Sequence, residues 1–107
     1  MRREVTVYGF GSAFVTSIAT KRVAQDVDLL IIHYGTDVET CRFAIACKRR
    51  LAASVAGAHI TMLSDGEEQH CQFIRTARAV RIGSIRADHF AEDLCTLDAA
   101  ISILGKR

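Results

Sequence analysis

The segment Asp26-Val27-Asp28-Leu29-Leu30-Ile31-Ile32-His33 constrains this chain more than any other. Leu29 to Ile32 form an unbroken run of branched apolar residues, the pattern of a central strand covered on both faces. A strand from Val27 to His33 therefore demands a sheet with layers packed on each side. Two acids open that strand. Strand residues i and i+2 point the same way, so Asp26 and Asp28 present two carboxylates on one face, with Cα atoms about 6.5–7 Å apart. Val27 turns to the other face. Such a pair suits two divalent cations about 3.5–4 Å apart. Acids at the head of an apolar strand are costly unless a cation or partner neutralises them. Taken alone, the pair also reads as solvated strand-start residues, with Asp26 capping a turn.

The neighbouring segments supply the rest of such a sheet. Val5-Thr6-Val7-Tyr8-Gly9-Phe10 alternates and is rich in β-branched and aromatic residues, a strand signal. Gly11-Ser12 ends it, and residues 13–22 suit a short helix. Thr36 or Asp37 can N-cap a long helix reaching about Val55, with Val38, Cys41, Ile45, Ala52 and Val55 at helical spacing. Ala58 to Leu63 is a third strand. Ser64-Asp65-Gly66-Glu67 has the form of a capping box, so a helix should begin there and run through Cys71, Phe73, Ile74 and Ala77. The segment from Arg78 to Gly83 either continues that helix or turns away. From about Asp88 a last helix carries Phe90, Leu94, Leu97, Ile101 and Leu104 as a narrow apolar stripe. The stripe reads as core, with a homo-oligomer contact through residues 88–104 as the alternative. The expected fold class is α/β (α+β): a mixed sheet of three or four strands flanked by helices, in one domain over residues 1–107.

Composition narrows the function classes. Half of the 107 residues are hydrophobic and the formal net charge is only +2, which excludes intrinsic disorder and gives no charge argument for nucleic-acid binding. No stretch approaches a membrane span, and Met1-Arg2-Arg3-Glu4 does not open a signal peptide. The expected setting is the cytoplasm. Cys41, Cys47, Cys71 and Cys95 form no CxxC pair and read as buried free thiols. Lys48-Arg49-Arg50 and the series Arg75, Arg78, Arg81, Arg86 read as solvated helix faces, with contact to triphosphate or nucleic acid as the functional alternative. His33 ends its strand and could line a site, whereas His70 and His89 read as surface residues.

Gly11-Ser12 gives the acid pair a context. A glycine ahead of a helix N-terminus leaves free N–H groups open to phosphate. By itself it is also an ordinary strand-to-helix turn. If the first two strands pair antiparallel, the end of the first lies beside the start of the second. Phosphate cradle and carboxylates then meet at one edge of the sheet, the layout needed to hold a metal-nucleotide and expose its α-phosphate.

Tyr8-Gly9-Phe10-Gly11-Ser12, a gap, and Asp26-Val27-Asp28-Leu29-Leu30-Ile31 resemble the polymerase-beta-like nucleotidyltransferase superfamily, nearest its minimal nucleotidyltransferase branch. Weaker likeness continues through Met62-Leu63-Ser64-Asp65-Gly66-Glu67-Glu68, Phe73-Ile74 and Arg75 to Ile82, so it covers about residues 5–82. The resemblance implies the nucleotidyltransferase fold and Mg²⁺-dependent transfer of a nucleotidyl group, with ATP as donor and a hydroxyl as acceptor. It implies that Gly11 and Ser12 hold the triphosphate while Asp26 and Asp28 bind two Mg²⁺ ions. Members of this branch are often encoded beside a helical toxin and act as its antitoxin by adenylylating it, so the resemblance implies such a partner protein. One departure stands out. The family places a third carboxylate on the next strand, and the aligned position here is His59. An imidazole can ligate a metal or act as a base near neutral pH, but it brings no negative charge, and Mg²⁺ prefers oxygen ligands. Glu67 or Glu68 could substitute. The alternative reading is a nucleotidyltransferase-fold protein that has lost chemistry at His59 and acts as a binding module.

Overall fold

The computed structural model describes residues 3–11 and 27–105, with backbone alone for 102–105. The helix expected over 13–22, and the site residues Ser12 and Asp26, lie outside the described residues. Strand β1 (Glu4–Phe10) is followed by β2 (Val27–His33), helix α1 (Val38–Ser54), β3 (Ala58–Ser64), α2 (Asp65–Cys71), α3 (Phe73–Ala77), β4 (Val80–Arg86) and α4 (Phe90–Gly105). A single 3₁₀ turn, Ala87–His89, leads into α4.

The four strands form one sheet in the order β3-β2-β1-β4. β1 pairs antiparallel with β2 and β4, and β2 pairs parallel with β3. The expected mixed sheet flanked by helices is therefore what the chain forms. The parallel β2–β3 step needs a crossover, and α1 supplies it. The end of β1 and the starts of β2, β3 and β4 consequently share one end of the sheet.

Leu29 and Ile31 point to the face carrying the core, with Val5, Val7, Ile85 and, from the helices, Ala44, Cys47, Leu51, Leu94, Leu97 and Ile101. Leu30 and Ile32 point the other way and are also buried. The unbroken apolar run thus does serve a strand covered on both sides. The stripe Leu94-Leu97-Ile101 is used up against the chain's own sheet. Among the described residues no helix is long and apolar enough to cross a membrane.

Several expectations need correction. The buried side of α1 is Thr40, Ala44, Cys47 and Leu51, whereas Val38 is 64% exposed and Ile45 is also exposed. Small residues let the helix sit close to the sheet on that stripe, and Val38, in the first turn after the Asp37 cap, projects past it. The helix after Ser64 breaks at Gln72, which takes a left-handed φ of 51° and separates α2 from α3. Arg78, at φ 56°, ends α3, and the chain turns into β4. Arg81 and Arg86 therefore lie on a strand rather than on a helix face.

All four cysteines are free, but Cys71 and Cys95 are exposed and only Cys47 is buried. Burial pushes the Cys47 thiol up to about 12. A maleimide reagent should therefore label Cys71 and Cys95 rapidly in the folded protein and reach Cys47 only on unfolding, as peptide mass mapping can read.

The capping box forms as the spacing requires. Ser64 Oγ accepts from the Glu67 N–H at 3.1 Å, and Glu67 Oε1 accepts from the Ser64 N–H at 2.9 Å. Asp37 caps α1 through the Thr40 hydroxyl and N–H. Asp93 clamps the start of α4 to the end of β4, accepting from the Arg86 N–H and its guanidinium.

These partners hold three carboxylates below their usual range: Glu67 through the Ser64 N–H, Asp37 through the Thr40 hydroxyl and Asp93 through the Arg86 guanidinium. A carboxylate depressed in the folded state stabilises above its unfolded pKa near 4, and that stabilisation disappears as pH falls through the folded value. Melting temperature should be flat above about pH 5 and fall steadily below pH 4. A melting temperature independent of pH over that acid range would contradict the three caps.

Candidate functional site

At the shared end of the sheet, Phe10 is registered opposite Asp28, and Asp28 opposite His59. Registered neighbours point to the same face, so Phe10, Asp28 and His59 form one row across three strands. The Val27 N–H donates to the Gly57 carbonyl at 2.9 Å and fixes the start of β2 against the start of β3.

Gly11 closes the row. Its φ is +80°, a conformation L side chains rarely adopt, and a Cβ built there would lie 2.5 Å from Asp28 Oδ2. The absence of a side chain at Gly11 is what lets the Asp28 carboxylate sit against the backbone of the turn. The expected meeting of glycine turn and acidic strand start is thus observed for Gly11 and Asp28. Asp28 is half-buried and His59 exposed.

Other candidates fall elsewhere. Glu67 caps α2 beyond Ser64, five residues along β3 from His59 and so about 16 Å away. Glu68 accepts from the Ile74 N–H at 2.8 Å and is engaged in starting α3. His33 is buried at the far end of β2, its Nδ1 2.9 Å from the Gly35 carbonyl, and does not line the row. His70 is exposed, as expected, while His89 is half-buried.

The structure adds residues that the motif alone does not name. Arg81, Tyr8, Leu30 and Thr61 make the next row on the same face. Beside it Thr6 and the Tyr34 hydroxyl share a 2.7 Å hydrogen bond. Burial raises the Tyr8 hydroxyl above its ordinary value, Tyr34 adds to the rise, and Arg81 opposes it. Phe73 of α3 meets the Phe10 ring edge-on at 5.1 Å and places α3 beside the Asp28 row. The alternation of β1 puts Tyr8 and Phe10 on one side, a signal present in the sequence. Arg81 takes its place from the register of β4, whose residues carry no plain strand pattern.

Among the described residues no group of three His, Cys, Asp or Glu side chains is arranged to hold a metal ion. Asp28 and His59 together offer one carboxylate and one imidazole at adjacent register positions. A carboxylate such as Asp28 is the oxygen donor a hard divalent cation takes, and its Oδ2 lies in the space that a side chain at Gly11 would fill. The His59 nitrogen is better suited to Mn²⁺ than to Mg²⁺.

No protein-family model matches the chain. Neither the curated proteins nor the solved structures contain a significant match to it.

Proposed function

We propose that this protein transfers a nucleotidyl group, AMP from ATP, to a hydroxyl acceptor, using the sheet end where Asp28 meets Gly11. The observation that carries this reading is the fit of the Asp28 carboxylate into the space a side chain at Gly11 would fill. This chemistry needs a phosphate-binding turn and a metal-binding acid on one edge, and the adjacency of Gly11 and Asp28 supports that reading. The likeness of Gly11-Ser12 and Asp26-Val27-Asp28 to polymerase-beta-like nucleotidyltransferases supplies the reaction class.

Asp28, joined by Asp26, would hold a divalent ion, Mg²⁺ or Mn²⁺. Bound there, the ion would neutralise phosphate charge and orient the α-phosphate. Gly11 and Ser12 would hold the phosphate oxygens, the role that the resemblance gives them. The acceptor oxygen bonds to the α-phosphorus while the bond to the bridging oxygen breaks. Pyrophosphate leaves with the electron pair, and His59 takes the acceptor's proton. A protein partner of the helical toxin type is the acceptor that the resemblance favours.

The test uses α-labelled ATP with Mg²⁺ or Mn²⁺ and the cognate partner. Label on the partner and stoichiometric pyrophosphate release support the reading. Neither product at any metal concentration rejects it.

His59 favours a second reading, because a carboxylate belongs at that position in the family pattern. On that reading the protein binds its partner without chemistry. Partner binding that survives Asp28→Asn, with no nucleotide bound by the unaltered protein, would favour it.

A further inference from the structure

The β1–β4 ladder runs without a break from Glu4↔Arg86 to Val7↔Gly83 and then resumes at Tyr8↔Arg81. Ile82 is left without a partner across the ladder. An extra residue in one strand reverses which face the following side chains occupy. In an unbroken ladder Arg81 would stand opposite Gly9, on the side of Val5 and Val7 where α1 and α4 pack. With the irregularity, Ile82 packs against that core instead. Arg81 stands opposite Tyr8, on the face that carries Phe10, Asp28 and His59.

Arg81 is exposed, and its guanidinium donates to Ser84 Oγ at 2.9 Å. It pairs with no carboxylate among the described residues, unlike Arg3 and Arg86. Its charge is felt at the Tyr8 hydroxyl, after the larger effects of burial and Tyr34. Arg75 is exposed on the adjoining α3 and Arg78 just past its end, while Glu68 is the carboxylate on this side whose charge also reaches the Tyr8 hydroxyl. Strand and residue spacings put the Cα atoms of Arg81 and Asp28 about 12 Å apart, close enough for both side chains to contact one polyphosphate chain.

We propose that the one-residue irregularity in β4 aims Arg81 at the candidate site, where its guanidinium binds the terminal phosphates of a nucleoside triphosphate. The assignment of a nucleotide donor rests on the nucleotidyl-transfer reading. The placement of a polyphosphate-binding arginine on the Asp28 face does not. A guanidinium fork matches two phosphate oxygens at once, and the Ser84 hydroxyl steadies it. Arg81 thereby grips the end of the donor that departs as pyrophosphate, while Asp28 serves the end that is transferred.

Isothermal calorimetry with ATP, inorganic triphosphate and AMP, each with Mg²⁺, tests this on the unaltered protein, Arg81→Met and Arg81→Lys. Arg81→Met should weaken ATP and triphosphate at least about tenfold, the size expected for a charge-assisted hydrogen bond, and leave AMP unchanged. Arg81→Lys should fall between, keeping the charge but losing the fork. Binding of triphosphate to the unaltered protein should weaken as salt rises. Equal ATP affinity in the unaltered protein and Arg81→Met overturns the proposal and leaves nucleotidyl transfer standing. Arg81-dependent triphosphate binding without AMP transfer keeps the proposal and overturns the enzyme. Failure of the unaltered protein to bind ATP or triphosphate overturns both.

Discussion

Asparagine in place of Asp28 is expected to cut AMP transfer at least about 100-fold while the protein melts at nearly its original temperature. Even residues that only support metal ligands cost 10- to 100-fold when removed, and Asp28 would be a ligand itself. The amide has the shape of the carboxylate but not its charge, so the Phe10↔Asp28 and Asp28↔His59 pairings that place it are untouched. Transfer assays beside thermal melts separate the two effects. Transfer at the original rate would remove Asp28 from the chemistry. A collapse of the melting temperature would make it a structural residue.

Alanine in place of Gly11 should damage stability and function together. A side chain at φ +80° costs about 1–2 kcal/mol in backbone strain. The new Cβ would also stand 2.5 Å from Asp28 Oδ2, so the carboxylate must move. Misplacing a reacting group by about 1 Å can cost 100-fold in rate, and that is the expected loss of transfer. A double-variant cycle isolates the contact. With Asp28→Ala already present, the clash is gone, and Gly11→Ala should cost only the strain term. Additive losses in the cycle would mean that Gly11 and Asp28 act separately.

The residues that were legible beforehand are those whose local pattern leaves one physical solution. The Leu29–Ile32 run reads as a strand buried on both faces, and Ser64 with Glu67 has the spacing at which each bonds the other's backbone to start a helix. Antiparallel pairing of the first two strands then brought Gly11 to Asp28, because the end of β1 lies beside the start of β2. The pattern was less informative where small or polar residues did the packing. Thr40, Ala44 and Cys47 form the seat of α1, and none stands out in an apolar periodicity that also contains Val38 and Ile45. β4 was hidden because its residues, Val80 to Arg86, mix arginine, glycine and serine, with the core positions shifted by the extra Ile82. A helix that breaks at a left-handed Gln72 is equally invisible, since glutamine carries no turn signal of its own. The consequence for the site was specific. Asp28 and Gly11 could be read from the motif, whereas Arg81 could be placed only once the register of β4 was known.

Electron paramagnetic resonance of Mn²⁺ with ATP tests most directly whether Asp28 and Gly11 make one metal-nucleotide site. The account predicts that the protein binds Mn·ATP, and that Asp28→Asn and Gly11→Ala each weaken it at least about tenfold. Mn·ATP bound with the same affinity by the unaltered protein and by Asp28→Asn would contradict it.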